Sequence, residues 1–244
     1  MARRLCRDGS LVSAVHLPTI ADDAGSGIVL RGIRMRDARA LDHELKLNRT
    51  WLRTWEATNP SGFTFGGDPK SLIRLLLAQA RDSVGIPLII ELDGELVGQL
   101  NVSSLVYGSL SSGQIGYWIA ERAAGRNVTP TAVAMATDYC FSALGLHRME
   151  ICIRPENAAS LRVVEKLGFR YEGLRRRYIH INGDWRDHFA FALVREDVPE
   201  GVLNRWRAGQ APVGDARIPE RDAVAASRDP RLDTPTGYPS RAEH

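Results

Sequence analysis

The hydrophobic period switches within residues 148–169. Met149, Ile151 and Ile153 alternate with Glu150 and Cys152, the signature of a strand with one buried face. Pro155 ends that strand, because proline cannot donate to a ladder. Asn157 stands at an N-cap position. Ala158, Leu161, Val164 (or Glu165) and Leu167 then recur at helical spacing, and Gly168 closes the helix as its C′ residue. Phe169 opens the next strand. A strand feeding a capped helix aims backbone N–H groups and a positive dipole end at one groove, which suits an anionic or carbonyl-rich ligand.

The rest of the chain follows the same logic. Residues 28–36 alternate as a first strand, and Asp37 can cap a helix running to about Asn48. Trp51 and Trp55, four apart, either pack that region onto a sheet or wall a groove. Residues 59–69 read as a loop. Lys70 to Asp82 reads as a helix with Leu72, Leu75 (or Leu76) and Gln79 to Ala80 on one face. Ile86 to Leu92 and Glu95 to Leu105 form a hairpin across Asp93-Gly94, and Gln114 to Ala120 is the next strand. Thr129-Pro130 looks like an N-cap with proline at the first helical position. The helix there puts Val133, Ala136, Cys140 (or Thr137) and Leu144 on one face and stops at Gly145. Tyr171 to Ile181 and Trp185 to Val194 pair across Asn182-Gly183. An antiparallel meander followed by strand–helix–strand units implies a mixed sheet with helices packed on it.

Composition narrows the setting. The 244 residues are 44% apolar and 25% charged, ordinary for a globular chain with a sizeable core. A net charge of +3 gives no argument for nucleic acid. Three widely spaced cysteines, Cys6, Cys140 and Cys152, fit reduced thiols in a cytoplasm rather than a disulfide framework or a zinc site. No apolar run is long enough for a membrane span, and Arg3, Arg4 and Arg7 lead into no signal-peptide core. Residues 1–27 read as an extension with one short strand or turn near Val12 to Leu17, and 28–208 as the domain. From Gly209 on, few large apolar residues remain, so 209–244 is expected to be a flexible tail.

Glu150, Pro155, Asn157, Ser160, Leu167, Gly168 and Phe169 together resemble the "(E)-x-R/C-x-x-P-x-N-x-x-S … LGF" segment of GNAT-superfamily N-acetyltransferases. The branch resembled is that of RimJ/RimL-type ribosomal-protein acetyltransferases. Two further segments agree: Asn48 to Glu56 is similar to "NR-x-(F/W)-L-x-x-W", and Asn182-Gly183-Asp184-Trp185-Arg186-Asp187 to "N-G-x-W-x-D". Arg122, Gly125 and Arg126 fit the "Q/R-x-x-G-x-G/A" loop that holds the CoA pyrophosphate on backbone N–H groups at a helix N-terminus. Asn127 stands where that loop has Gly or Ala; asparagine tolerates a left-handed backbone, but its side chain points the issue at the phosphates.

The resemblance implies a GNAT fold: a mixed, mostly antiparallel twisted sheet of about seven strands flanked by helices and splayed between strands 114–120 and 148–153. It implies acetyl-CoA as cosubstrate, no metal, and direct attack of an amine on the thioester in a ternary complex. Ile119, Arg122, Gly125, Arg126, Asn127, Val128, Asn157 and Ser160 would hold the cofactor. Ile119 would lend a backbone N–H to the oxyanion, and Ser160 would protonate the leaving thiolate. Glu150, Tyr117 and His180 are further proton-transfer candidates, each with a plain structural alternative. The acceptor implied is a protein N-terminus, with that of a ribosomal protein as one candidate, in a cytoplasmic enzyme that is a monomer or homodimer and binds no membrane or nucleic acid directly. An α-amine with pKa near 8 loses its proton at pH 7 for about 1.4 kcal/mol, whereas a lysine amine needs roughly 4–5 kcal/mol. A site with no obvious base therefore favours the α-amine. Two alternatives stand beside it: a small-amine or antibiotic acetyltransferase, and a non-catalytic acyl-CoA-binding or ribosome-assembly module.

Overall fold

The computed structural model describes residues 17–60 and 68–227. Among these residues eight strands form one sheet: β1 (Thr19–Ala21), β2 (Ile28–Gly32), β3 (Ile86–Leu92), β4 (Glu95–Val106), β5 (Ser112–Ile119), β6 (Arg148–Ile153), β7 (Arg170–Ile181) and β8 (Asp184–Val194). Their order across the sheet is β1-β2-β3-β4-β5-β6-β8-β7, antiparallel throughout except for β5 beside β6. That parallel ladder joins only Ser112–Gln114 to Arg148–Glu150, although β5 runs on to Ile119 and β6 to Ile153. Beyond Gln114 the two strands part, and the sheet opens there. Both hairpin turns are built as their sequences require: Asp93 and Gly94 have φ of 53° and 83°, Asn182 and Gly183 of 50° and 87°.

Among the described residues seven helices cover the sheet: α1 (Ala38–Leu47), α2 (Arg49–Leu52), α3 (Pro69–Arg81), α4 (Val128–Ser142), α5 (Ala158–Leu167), α6 (Val202–Arg207) and α7 (Glu220–Ser227). On one face α4 and α5 bury Val133, Ala136, Val164 and Leu167 against Met149, Ile151, Phe169 and Phe191. On the other, α1 and α3 bury Leu41 and Ile73 against Ile33, Ile89 and Leu96. The α3 stripe therefore runs through Ile73 and Ala80, while Leu72, Leu76 and Gln79 border a cleft. Burial on nearly every side of α4, rather than on one stripe, follows from its place between the sheet and α6.

Several boundaries differ from the sequence reading. The strand expected over 28–36 ends at Gly32, because Met35–Asp37 turn into a short 3₁₀ segment. Asp37 does not cap α1 with its side chain; it accepts from Arg34 N at 2.7 Å and takes both Nη atoms of buried Arg31 at 2.8 and 3.0 Å. The α4 helix begins at Val128, ahead of Thr129-Pro130, so Pro130 lies inside the first turn, where a missing N–H removes no helical bond. An eighth strand, β1, lies in the segment read as an extension, whereas the turn expected near Val12 falls almost wholly outside the described residues.

Residues 209–227 depart from the expectation of a loose tail over 209–244, of which 228–244 lie outside the described residues. Asp215 O accepts from Tyr171 N at 2.8 Å, Tyr171 Oη donates to Asp222 at 2.8 Å, and Ala216, Ile218 and Ala226 pack on the core. A segment poor in large apolar residues cannot form its own core, but it needs little to settle on the exposed edge of β7, where an unpaired ladder waits.

Candidate active site

The opening between β5 and β6 widens into a cleft of 620 Å³ that passes through the sheet. Strand alternation assigns its residues to two sides. Ile153 pairs with Phe189 and both belong to the α4/α5 core, so Cys152, Arg154 and His188 project to the α1/α3 side. Tyr117 packs with the α4/α5 core, and its neighbour Trp118 with the α1/α3 cluster. One side thus carries Tyr117, Asn157 and Ser160, the other Gln99, Asn101, Trp118, Cys152, Arg154 and His188.

On the α4/α5 side, Asn157 is a working cap: its Oδ1 accepts from Ser160 N at 3.0 Å, and its Nδ2 donors remain for a ligand. The Tyr117 hydroxyl is fully buried and makes no well-formed hydrogen bond, although the Ser160 hydroxyl stands close enough to favour its ionised form slightly. Burial dominates and pushes the phenol up to about 12. Tyr117 therefore keeps its proton at neutral pH while facing a cleft with an unspent O–H. A buried polar atom without a partner is costly, and it marks a place where a ligand atom is expected.

The backbone of β5 supplies a second donor. Ala120 N donates to Val97 O at 2.7 Å, which fixes the alternation of the β4–β5 ladder. Ile119, one step before, then turns its N–H and C=O away from β4 and toward the opening. Its carbonyl accepts from Trp51 Nε1 at 3.1 Å, which anchors α2 to the strand end. The Ile119 N–H is thus placed to meet an oxygen in the cleft, the geometry an oxyanion donor needs. The tryptophans divide the two roles weighed for them: Trp51 is structural, whereas Trp55 walls the cleft with the Arg154 guanidinium 5.4 Å above its ring.

The loop before α4 fits a diphosphate. Gly125 has φ 74° and nothing within 4 Å of where a Cβ would stand, so the hollow beside it is open. Asn127 adopts φ 60°, ψ 11°, the left-handed conformation that asparagine tolerates better than most residues with a Cβ. Its side chain does not crowd the hollow, because Oδ1 is drawn aside by Lys166 Nζ at 2.7 Å. Val128 starts a 15-residue helix whose first N–H groups and dipole point the same way. The Arg122 side chain is spent elsewhere, clamping Glu44 at 2.5 Å and Leu96 O at 3.2 Å, so only its backbone position serves the loop; Arg126 is exposed at the rim. Asn127→Gly is expected to leave the KM for acetyl-CoA within about threefold of wild type. Asn127→Val, which must pay about 1–2 kcal/mol for a left-handed backbone, should raise it roughly tenfold in the same steady-state assay.

Two sequence candidates leave the reacting centre. His180 is turned away: Ile179 and Ile181 face the cleft, whereas His180 pairs with Thr58 Oγ1 at 2.8 Å and sits edge-on to Trp185. A bulge between Tyr171 and Gly173 reverses the phase of β7, and nothing in the strand's hydrophobic pattern announces it. Glu150 projects to the α1/α3 side, but Arg175 takes both its oxygens at 2.6 Å and Arg148 one at 3.0 Å, which ties it into an ion-pair network. Cys152 lies in the cleft with its thiol pushed up to about 12 by burial, too high for a nucleophile. Sequence reasoning missed Gln99, Asn101, Arg154 and His188. Gln99 Oε1 accepts from Trp118 Nε1 at 3.3 Å and Gln99 Nε2 donates to Asn101 Oδ1 at 3.2 Å, an amide relay along one wall. No group of three or more His, Cys, Asp and Glu side chains that could hold a metal occurs among the described residues.

Comparison with known proteins agrees with this geometry. Residues 28–170 match the family described as "Acetyltransferase (GNAT) domain". The solved structure of Mycobacterium smegmatis RimJ in complex with CoA-disulfide superposes with a TM-score of 0.69 at 38% identity, covering 81% of this chain and 94% of that one. The [ribosomal protein uS5]-alanine N-acetyltransferase of Escherichia coli (strain K12) is 27% identical over 176 residues, 71% of this chain and 91% of the relative. The probable N-acetyltransferase YjcK of Bacillus subtilis (strain 168) is 37% identical over 105 residues, 43% of this chain, which spans 58% of that relative's length. With a family match over more than half its length, a splayed sheet and a pyrophosphate loop in place, the chain belongs to the GNAT family and is an acetyl-CoA-dependent N-acetyltransferase.

Proposed function

We propose that the acceptor is the N-terminal α-amine of a protein, with a ribosomal protein as the substrate class. The observation that carries this reading is the charge of the acceptor side. Among the described residues, the one carboxylate lining the cleft is Glu56, and it is already paired with Arg49 at 2.5 Å. Arg154 also lines the cleft, its guanidinium ion-paired with Glu156 at 3.2 Å. Polyamines and aminoglycosides carry several positive charges and need an acidic pocket to hold the ones that do not react. Here the walls are Trp55, Leu72, Leu76 and Trp118 with the neutral amides of Gln99 and Asn101. Such a surface suits one amine on a small apolar residue followed by peptide groups. The names of the RimJ and uS5-alanine relatives point the same way.

In this reading, the α4 loop and Asn157 hold acetyl-CoA on the α4/α5 side, with the thioester in the opening. The amine enters from the α1/α3 side and attacks the thioester carbon. Ile119 N–H steadies the oxyanion, and Tyr117, backed by Ser160, gives the departing sulfur its proton. CoA release from acetyl-CoA is the test, against Ala- and Ser-starting peptides, an N-blocked lysine peptide, spermidine and an aminoglycoside. Turnover confined to free N-termini supports the proposal. Turnover confined to the small amines overturns the substrate and leaves the chemistry standing.

A further inference from the structure

We propose that His188 is the general base that takes the proton from the attacking amine, on the opposite side of the sheet from the group that protonates the thiolate. The inference rests on the acetyl-transfer reading but not on which amine is the substrate.

Direct transfer needs two proton movements at two places. The amine nitrogen forms a bond to the thioester carbon and must lose a proton, the C–S bond breaks, and the sulfur must gain one. Tyr117 stands on the α4/α5 side, where the thiolate leaves. Among the described residues lining the cleft, His188 is the one imidazole, and strand alternation puts it on the α1/α3 side, where the amine enters. It is 3% exposed, so its ring sits in the wall rather than in bulk water. Its Nδ1 lies 2.9 Å from Arg186 O. A carbonyl only accepts, so Nδ1 carries the hydrogen, and the neutral ring holds its lone pair on Nε2. This is the tautomer a base requires, fixed from behind by the backbone of its own strand.

The surroundings keep the ring neutral between turnovers. Burial, the largest influence, disfavours the imidazolium; the Arg186 carbonyl on Nδ1 favours it, Arg154 disfavours it, and Asp187 and Glu156 favour it more weakly. Tyr178 meets the ring edge-on at 6.0 Å, Cys152 lies on the same face of β6, and Arg175, its cross-strand neighbour, is bound to Glu150. Burial is the largest influence and lowers the ring's pKa from 6.5. The amine becomes strongly acidic once it has bonded to carbon, so a weak, neutral base is enough to collect its proton and pass it to solvent.

The test is a pH–rate profile of kcat/KM for wild type and His188→Gln, with whichever amine the wild type turns over. Wild type should show an acidic limb that falls as the imidazole protonates, below the ordinary histidine range. His188→Gln should lose about a hundredfold in kcat/KM and lose that limb, while binding acetyl-CoA as wild type does by isothermal titration. Retained acetyl-CoA binding also reports that the variant folds; His188→Asn serves if His188→Gln does not. A variant within about threefold of wild type, or a slow variant that keeps the acidic limb, overturns the proposal. Restriction of the wild type to small amines would overturn the substrate class alone and leave this comparison readable.

Discussion

Replacing Tyr117 by phenylalanine is expected to make the protein slower and more stable at once. The hydroxyl is buried without a proper partner, so its loss removes an unsatisfied polar group and should raise stability by about 1 kcal/mol. The ring itself stays, packed against the α4/α5 core, and leaves no cavity. If the hydroxyl protonates the thiolate, kcat falls by about two to three orders of magnitude while the KM for acetyl-CoA holds. Opposite signs in a denaturant melt and in steady-state kinetics identify a group whose cost to the fold is offset by its use in catalysis. A CoA analogue with a more acidic thiol needs less help to leave, so its acetyl thioester should restore most of the lost rate. Because burial holds the phenol at about 12, no basic limb from Tyr117 should appear at ordinary alkaline pH. Ser160→Ala separates the two hydroxyls: if serine is the true donor, that variant collapses and Tyr117→Phe barely changes, which would refute the assignment.

Local grammar carried most of the fold. Two Xaa-Gly turns, the Asn157 cap and the Gly168 stop each act through residues adjacent in sequence, and each stands where its chemistry places it. What escaped were effects that join distant segments. The tyrosine strand reads as a plain alternation until one inserted residue reverses its phase, which sends His180 out and leaves Ile179 facing in. His188 hides within a run of buried positions from Asp187 to Leu193, where no periodicity separates a cleft wall from a core. Glu150 belongs to a matching motif, but its arginine partners come from β7 and from its own strand, a pairing fixed only by the tertiary register. The Asn127 departure resolves through Lys166, 39 positions away. The tail from Gly209 looks unable to fold because composition counts only its own apolar residues, not the strand edge offered to it.

Glu150 gives the second large effect, this time on stability. Its side chain is 14% exposed and accepts from Arg175 through both oxygens and from Arg148 through one. Glu150→Ala leaves Arg175 with the Cys152 sulfur at 3.3 Å and the Tyr178 ring 4.9 Å from its guanidinium, while Arg148 keeps Glu172 at 2.6 Å. Breaking a buried pair from one side costs about 3–5 kcal/mol; Arg175 is 36% exposed, so partial solvation trims the expected loss to about 2–3 kcal/mol. Glu150→Gln keeps the shape and an acceptor for the arginines, and should lose less. If Glu150 is an anchor, the glutamine variant retains kcat within about threefold; if it relays protons, kcat falls about a hundredfold at nearly unchanged stability. Acid should weaken the same comb of arginines from its outer end. The Arg148 hydrogen bond holds Glu172 below its ordinary 4.5, against the opposing pull of burial. A carboxylate depressed in the folded state stabilises fully above its unfolded value and loses that contribution as pH falls through the depressed one. Wild type should therefore lose stability below about pH 4.5, and Glu172→Gln should show a flatter curve there in urea titrations. Equal slopes in the two proteins would mean that the Arg148 pairing carries no pH-dependent stability, and the anchor role would then rest on Arg175 alone.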